Sequence, residues 1–145
     1  MKKVTDTEQI VQSLDNLSLL MRALLWEQAK EHDVSAVQLQ VLMLLAKDAE
    51  TAWTLTLLAK HFLLTKATIS QTIKSLEQKQ LINKKLKDGD ARSYNLILTE
   101  RGKRIAHVTE HYLNPVAKIV ARVPATEQAI LLKNINGIIS KLQTY

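Results

Sequence analysis

The chain has 145 residues, 46% apolar and 23% charged, a globular composition for one domain with room for a buried core. Twenty Lys and Arg against fourteen Asp and Glu leave +6, a charge suited to a polyanionic partner. With no cysteine, disulfides, thiolate metal sites and thiol chemistry are excluded, and three glycines with two prolines leave little for a phosphate-cradling loop or a turn-rich all-β fold.

The N-terminus is polar from Thr5 to Gln9, where an export signal needs an apolar run, and Leu17–Trp26 is broken by Ser18 and Arg22. The expected location is cytoplasmic. Thr5 and Glu8 form a capping box that opens a helix from about Asp6 to Lys30. Along it Ile10, Leu14, Leu17, Met21 and Leu24 recur at spacings of four and three, with Val11 and Leu25 widening the stripe. Ser35, paired with Gln38, caps a second helix carrying Val37, Val41, Leu42 and Leu45.

After a polar break at Lys47–Thr51, Thr54 caps a short helix from Leu55 to Phe62, and Thr65 caps another running to about Gln80. The stripe of the latter is Ile69, Ile73 and Leu76. Two short helices so tightly joined, with small Ala59 at the crossing, make a helix-turn-helix. A strand at Ile82–Lys87, a turn at Asp88-Gly89 and alternation at Tyr94, Leu96 and Leu98 form a hairpin behind it, a wing. Thr99 caps the next helix. Pro115 should bend or divide the helical stretch that follows, and Pro124 suits the start of the last helix. That last helix repeats the N-terminal spacing with Leu131, Ile135, Ile138 and Leu142, while Gly137 weakens it or admits a close neighbour.

The predicted fold is therefore mainly α with a small β-hairpin wing, one domain over residues 1–145. A winged helix-turn-helix at 35–103 is flanked by apolar helices at 5–31 and 104–143. The flanking helices either complete an intramolecular core or form a dimer interface. Their apolar character, beside a module with its own core, favours dimerisation helices.

Charge is not spread evenly. Residues 60–104 carry +7 and the remainder carries −1. On the second helix of the motif, Lys66, Ala67, Thr68, Ser70, Gln71 and Lys74 lie outside the apolar stripe, where a recognition helix meets base edges. Gln71 suits an adenine edge, Lys66 or Lys74 a guanine, and Ala67 or the Thr68 methyl a thymine methyl. Thr65 at the helix start suits a phosphate. On the wing, Lys84, Lys85 and Lys87 offer charge to the backbone and Arg92 to the minor groove; Asp90 pairs with Arg92 or stiffens the turn. Each lysine alone would be ordinary solvated surface, and Thr65 is a helix cap in any case.

These residues resemble the multiple-antibiotic-resistance-regulator (MarR) family of transcription factors. The likeness runs in detail from Ser35 to Lys103. It rests on Gln38–Leu45, Leu58-Ala59, Ala67-Thr68-Ile69-Ser70, Leu76-Glu77, Gln80-Leu81-Ile82, Asp90-Ala91-Arg92 and Leu98-Thr99 with Gly102. The resemblance implies a homodimer that binds double-stranded DNA at a pseudo-palindromic site, usually as a repressor. It also implies release by a small aromatic or anionic effector, with Thr65, Lys66, Thr68, Ser70, Gln71 and Arg92 as DNA contacts. Gln80 stands where many members have Gly, and Ala91 where many have Arg. Without cysteine, thiol-based peroxide sensing is excluded.

Other chemistry is thinly represented. Arg22 and Trp26, one turn apart, are candidates for a cation–π contact or an effector pocket. His107 and His111, four apart with Glu110 between them, could share a metal in a metal-sensing regulator, though His-Glu-x-x-His is absent. With neither a nucleophile–base pair nor an acidic cluster for magnesium, no catalytic residue and no cofactor are expected, so the chain is not read as an enzyme. A helical protein-interaction module is the alternative, and the basic wing argues against it.

Overall fold

The computed structural model describes residues 4–87 and 90–145, with the side chains of 87 and 90–93 left aside. The elements follow as α1 (Asp6–Glu31), α2 (Ala36–Lys47), α3 (Leu55–Phe62), α4 (Lys66–Gln78), β1 (Ile82–Lys87), β2 (Asp90–Leu98), α5 (Glu100–Thr109), α6 (Asn114–Val120) and α7 (Ala125–Gln143). The predicted mainly helical architecture with one hairpin is what forms. Side-chain caps account for most helix starts. Thr5, Ser35, Thr54, Thr65 and Thr99 each accept the amide three residues on, satisfying a donor that the helix leaves orphaned.

Three helices end in the same way. Asp33, Leu63 and Gln80 adopt left-handed backbone, with φ of 54°, 54° and 58°. In each case the next amide reaches back five positions. Val34 donates to Ala29, Leu64 to Ala59 and Leu81 to Leu76, all at 3.0 Å. These are Schellman closures, built on residues other than glycine. The closure at Gln80 ends α4 at Gln78, slightly short of the predicted end.

The core lies among α2, α3, α4, the wing root and α5. Leu39, Leu42, Leu58, Ile69, Ile73, Leu76, Leu81 and Ile82 are all fully buried. A 13-residue helix of ordinary propensity would not persist alone, so Ile69, Ile73 and Leu76, at roughly 1.5–3 kcal/mol each, hold α4 in place. β1 and β2 pair antiparallel from Ile82↔Leu98 to Leu86↔Tyr94, with an irregularity before Lys87↔Asp90. The predicted Asp88-Gly89 turn lies outside the described residues.

The chain divides into two compact units, Met1–Tyr112 and Leu113–Tyr145. α5 belongs to the first, where it packs on α2, although the sequence placed it largely with the flanking helices. The helical stretch around Pro115 is divided, as expected. α5 ends at Thr109, and α6 restarts with Pro115 in its first turn, where the missing amide is harmless. Pro124 precedes α7, and a Cβ on Gly137 would meet open space rather than a close neighbour.

The flanking helices leave much apolar surface bare. On α1 only Leu25 and Ala29 are buried, while Ile10, Val11, Leu17, Leu19 and Leu20 are exposed. α7 buries no residue, and Ile130, Leu131, Leu132, Ile138, Ile139 and Leu142 are exposed.

Candidate nucleic-acid interface

Burial of Ile69, Ile73 and Leu76 turns the opposite face of α4 outward. Thr65, Lys66, Ala67, Thr68, Ser70, Gln71 and Lys74 are all exposed. Thr65 Oγ1 accepts the Thr68 amide at 3.1 Å, and the two hydroxyls lie 2.9 Å apart, so both polar tips are engaged in closing the first turn. Ser70, Gln71, Lys66 and Lys74 make no hydrogen bond or ion pair with another described residue. The helix thus presents donors and acceptors to an outside partner at the positions singled out from the sequence.

On the wing, Lys84 and Lys85 are exposed, but they are not equivalent. Lys84 Nζ lies 3.1 Å from Glu77 Oε1 on α4 and 4.6 Å from the centre of the Tyr94 ring on β2. Burial works to lower its pKa, but the Glu77 carboxylate and Tyr94 prevail and hold it above the ordinary lysine value. Lys84 therefore clamps the wing to α4, a role not visible in the sequence. Its partner Glu77 was missed as a functional residue, although it is the only acidic residue on this helix. The side chains of Lys87, Asp90 and Arg92, predicted for the wing tip, lie outside the described residues.

The wing root is locked onto the end of α4 by the first turn of α5. The Thr99 amide donates to the Leu81 carbonyl at 3.1 Å, and its hydroxyl donates to the Gln80 carbonyl at 2.8 Å. The same hydroxyl oxygen accepts from the Gly102 amide at 3.0 Å. Arg101 Nη1 donates to the Lys79 carbonyl at 3.3 Å. A Cβ on Gly102 would stand 2.1 Å from the Leu81 carbonyl oxygen, so glycine is what lets α5 approach so closely.

A family model described as MarR family matches residues 32–93, which span α2, the helix-turn-helix and most of the wing. Over that segment the chain resembles the MarR family. Among curated proteins, none matches the chain in sequence. Solved structures share the fold at low identity. FabT of Streptococcus pneumoniae in complex with DNA is 21% identical with a TM-score of 0.80, over 96% of this chain and 99% of that one. The MepR–DNA complex of Staphylococcus aureus gives 20% and 0.80 over 96% and 99%. The transcription regulator MarR of Oenococcus oeni PSU-1 gives 19% and 0.72 over 90% and 98%.

The MarR-like string Leu98-Thr99-Glu100-Arg101-Gly102 acquires a physical reason here, since its Thr and Gly are the residues that seat α5 on the end of α4. The other MarR-style candidates are less compact. Arg22 borders a hollow of about 340 Å³ with Leu14, Met21, Leu25 and Tyr112, whereas Trp26 borders a different one with Lys30 and Lys79. The two do not form the cation–π pair the spacing allowed; among the described residues that contact is Lys84 on Tyr94.

His107 and His111 both turn to Glu110, at 3.4 and 3.0 Å. Together with Lys47 and Lys103 they rim a cavity of about 670 Å³ floored by Met43, Leu44, Ala106 and Tyr112. Among the described residues no group of three or more metal-capable side chains is arranged to hold an ion. His61 stacks edge-on against Trp53 and Phe62 instead.

Proposed function

We propose that this chain is a homodimeric, sequence-specific regulator of transcription that binds double-stranded DNA at a pseudo-palindromic site and acts as a ligand-responsive repressor. One observation carries the reading. The outer face of α4, with Lys66, Ser70, Gln71 and Lys74 free of internal partners among the described residues, adjoins the cationic wing within the segment that holds the +7. α4 reads base edges in the major groove through Gln71, Ser70, Lys66 and Lys74, Ala67 and Thr68 supply apolar contacts, and Lys85 meets phosphate. Lys87 and Arg92, with Asp90, extend the contact at the wing tip.

The bare apolar stripes of α1 and α7 support homodimerisation, since a second copy offers the same surface in return. The cavity between α2 and α5, lined by apolar side chains together with Lys47, Lys103, two histidines and Glu110, supports response to a small aromatic or anionic ligand, as does the hollow beside Arg22.

The test is duplex binding by the purified chain across a salt series. Affinity for fragments selected from random duplex DNA should fall steeply as salt rises, through counterion release. Gln71→Ala should relax sequence choice, whereas Lys85→Ala should weaken selected and unrelated duplexes alike and reduce the salt slope by about one. Absent or salt-independent duplex binding would defeat the proposal and favour a protein-interaction module.

A further inference from the structure

The inner side of α4 carries a polar cluster that takes no part in the outward face. Gln38, only 8% exposed, closes the α2 capping box with Ser35, its Oε1 accepting the Ser35 amide at 3.0 Å. Its Nε2 donates to Ser75 Oγ on α4 at 2.9 Å. From the end of α4, Lys79 Nζ donates to the same Gln38 Oε1 at 3.3 Å and to the backbone carbonyl of Asp33 at 2.5 Å. That carbonyl belongs to the left-handed residue just beyond α1, at the negative end of the α1 dipole, where an ammonium is favoured. Lys79 is thus turned inward onto neutral acceptors. α4 otherwise packs chiefly on α2, α3 and β1. The cluster is therefore a direct polar tie between the recognition helix and the end of the long N-terminal helix.

We propose that Lys79 and Gln38 are positioning residues that set the direction of α4 against the end of α1, and hence sequence discrimination, and that Lys79 is not a phosphate contact despite its charge. The inference rests on the DNA-binding reading above. If α1 joins two copies, a change in the tilt of α4 moves the two recognition helices out of register with successive turns of the duplex. Non-specific attraction to phosphate stays as it was.

The experiment compares Lys79→Met, Lys79→Arg and Ser75→Ala with the parent chain. Selected and scrambled duplexes are titrated across a salt series, with thermal unfolding as the check on folding. Lys79→Met and Ser75→Ala should each lose about tenfold on the selected duplex, with scrambled affinity and salt slope unchanged. Lys79→Arg, which keeps a donor, should stay close to the parent. Uniform loss on both duplexes with a shallower slope would make Lys79 a phosphate contact and overturn the proposal, as would no loss at all.

A readout without DNA separates failure of the tie from failure of the DNA reading. The chain has no cysteine, so Glu27→Cys and Lys74→Cys place one spin label on α1 and one on α4. Labelled chains are diluted into unlabelled ones. Lys79→Met should broaden or shift the distance between the labels. An unchanged distribution overturns the proposal whatever DNA does, and a changed one beside a parent that binds no duplex overturns the DNA reading alone.

Discussion

Gly102 and Gln80 show opposite relations between a residue and its backbone. Gly102 is required by a neighbour, because the Leu81 carbonyl oxygen occupies the space a Cβ would take and, being backbone, cannot swing aside. Gly102→Ala should therefore cost about 1–3 kcal/mol, read as a lowered midpoint in chemical denaturation. Gln80 and Leu63 instead sit in left-handed backbone that glycine would adopt without strain. Leu63 is also 91% exposed, so its side chain recovers almost nothing by packing. Leu63→Gly and Gln80→Gly should each stabilise the chain by about 1 kcal/mol, measured as a raised thermal midpoint. The sequence flagged the glycine position at Gln80 because the family pattern names it. It gave no warning at Leu63 or Asp33, since nothing in local spacing marks a left-handed cap when the residue is neither Gly nor Asn.

At the level of elements, much was readable because the caps are local. Thr5 with Glu8, Ser35 with Gln38, and Thr54, Thr65 and Thr99 each bond three residues away, within the reach of a spacing argument. What escaped was the second use of the same side chains. Gln38 was a cap in the sequence and proved also to bond Ser75, thirty-seven positions on; Lys84 was a phosphate candidate and proved to hold Glu77. Arg22 and Trp26 looked like one site because a helical turn separates them, yet they border different hollows as α1 runs past its neighbours.

The α1 cap also makes a prediction about pH. Glu8 accepts the Thr5 amide first and the Thr5 hydroxyl second, and both lower its carboxyl below 4.5. A carboxyl depressed in the folded state lends stability above its unfolded pKa and loses it as pH falls through the folded one. Protection of the first-turn amides of α1, relative to their intrinsic exchange rates, should therefore fall on acidification below about pH 4.5, and Glu8→Gln should remove that dependence.

For the whole molecule, the decisive contrast is between two surfaces. The face of α4 and the wing is polar and cationic, while the stripes of α1 and α7 are apolar and bare. If those stripes join two copies, Ile10→Glu with Leu20→Glu should shift the sedimentation coefficient from dimer to monomer. Both side chains are exposed in the single chain, so its own fold should hold, and affinity for selected duplex should fall by at least a hundredfold as the second half-site is lost. An unchanged dimer would place the interface elsewhere. The segmental charge made the first surface visible in the sequence, and helical periodicity made the second visible. Periodicity could not assign α5, whose apolar positions turn out to face α2.

The Lys84–Glu77 clamp has one more consequence. Because it joins β1 to α4, a substitution on either element perturbs the alignment of the other, and their effects on DNA affinity should not add. In a double-mutant cycle, Lys84→Ala and Gln71→Ala should show a coupling energy of about 0.5 kcal/mol or more, whereas Lys85→Ala and Gln71→Ala should be nearly independent. The hairpin and the helix would then act on DNA as one reading head rather than as two separate contacts.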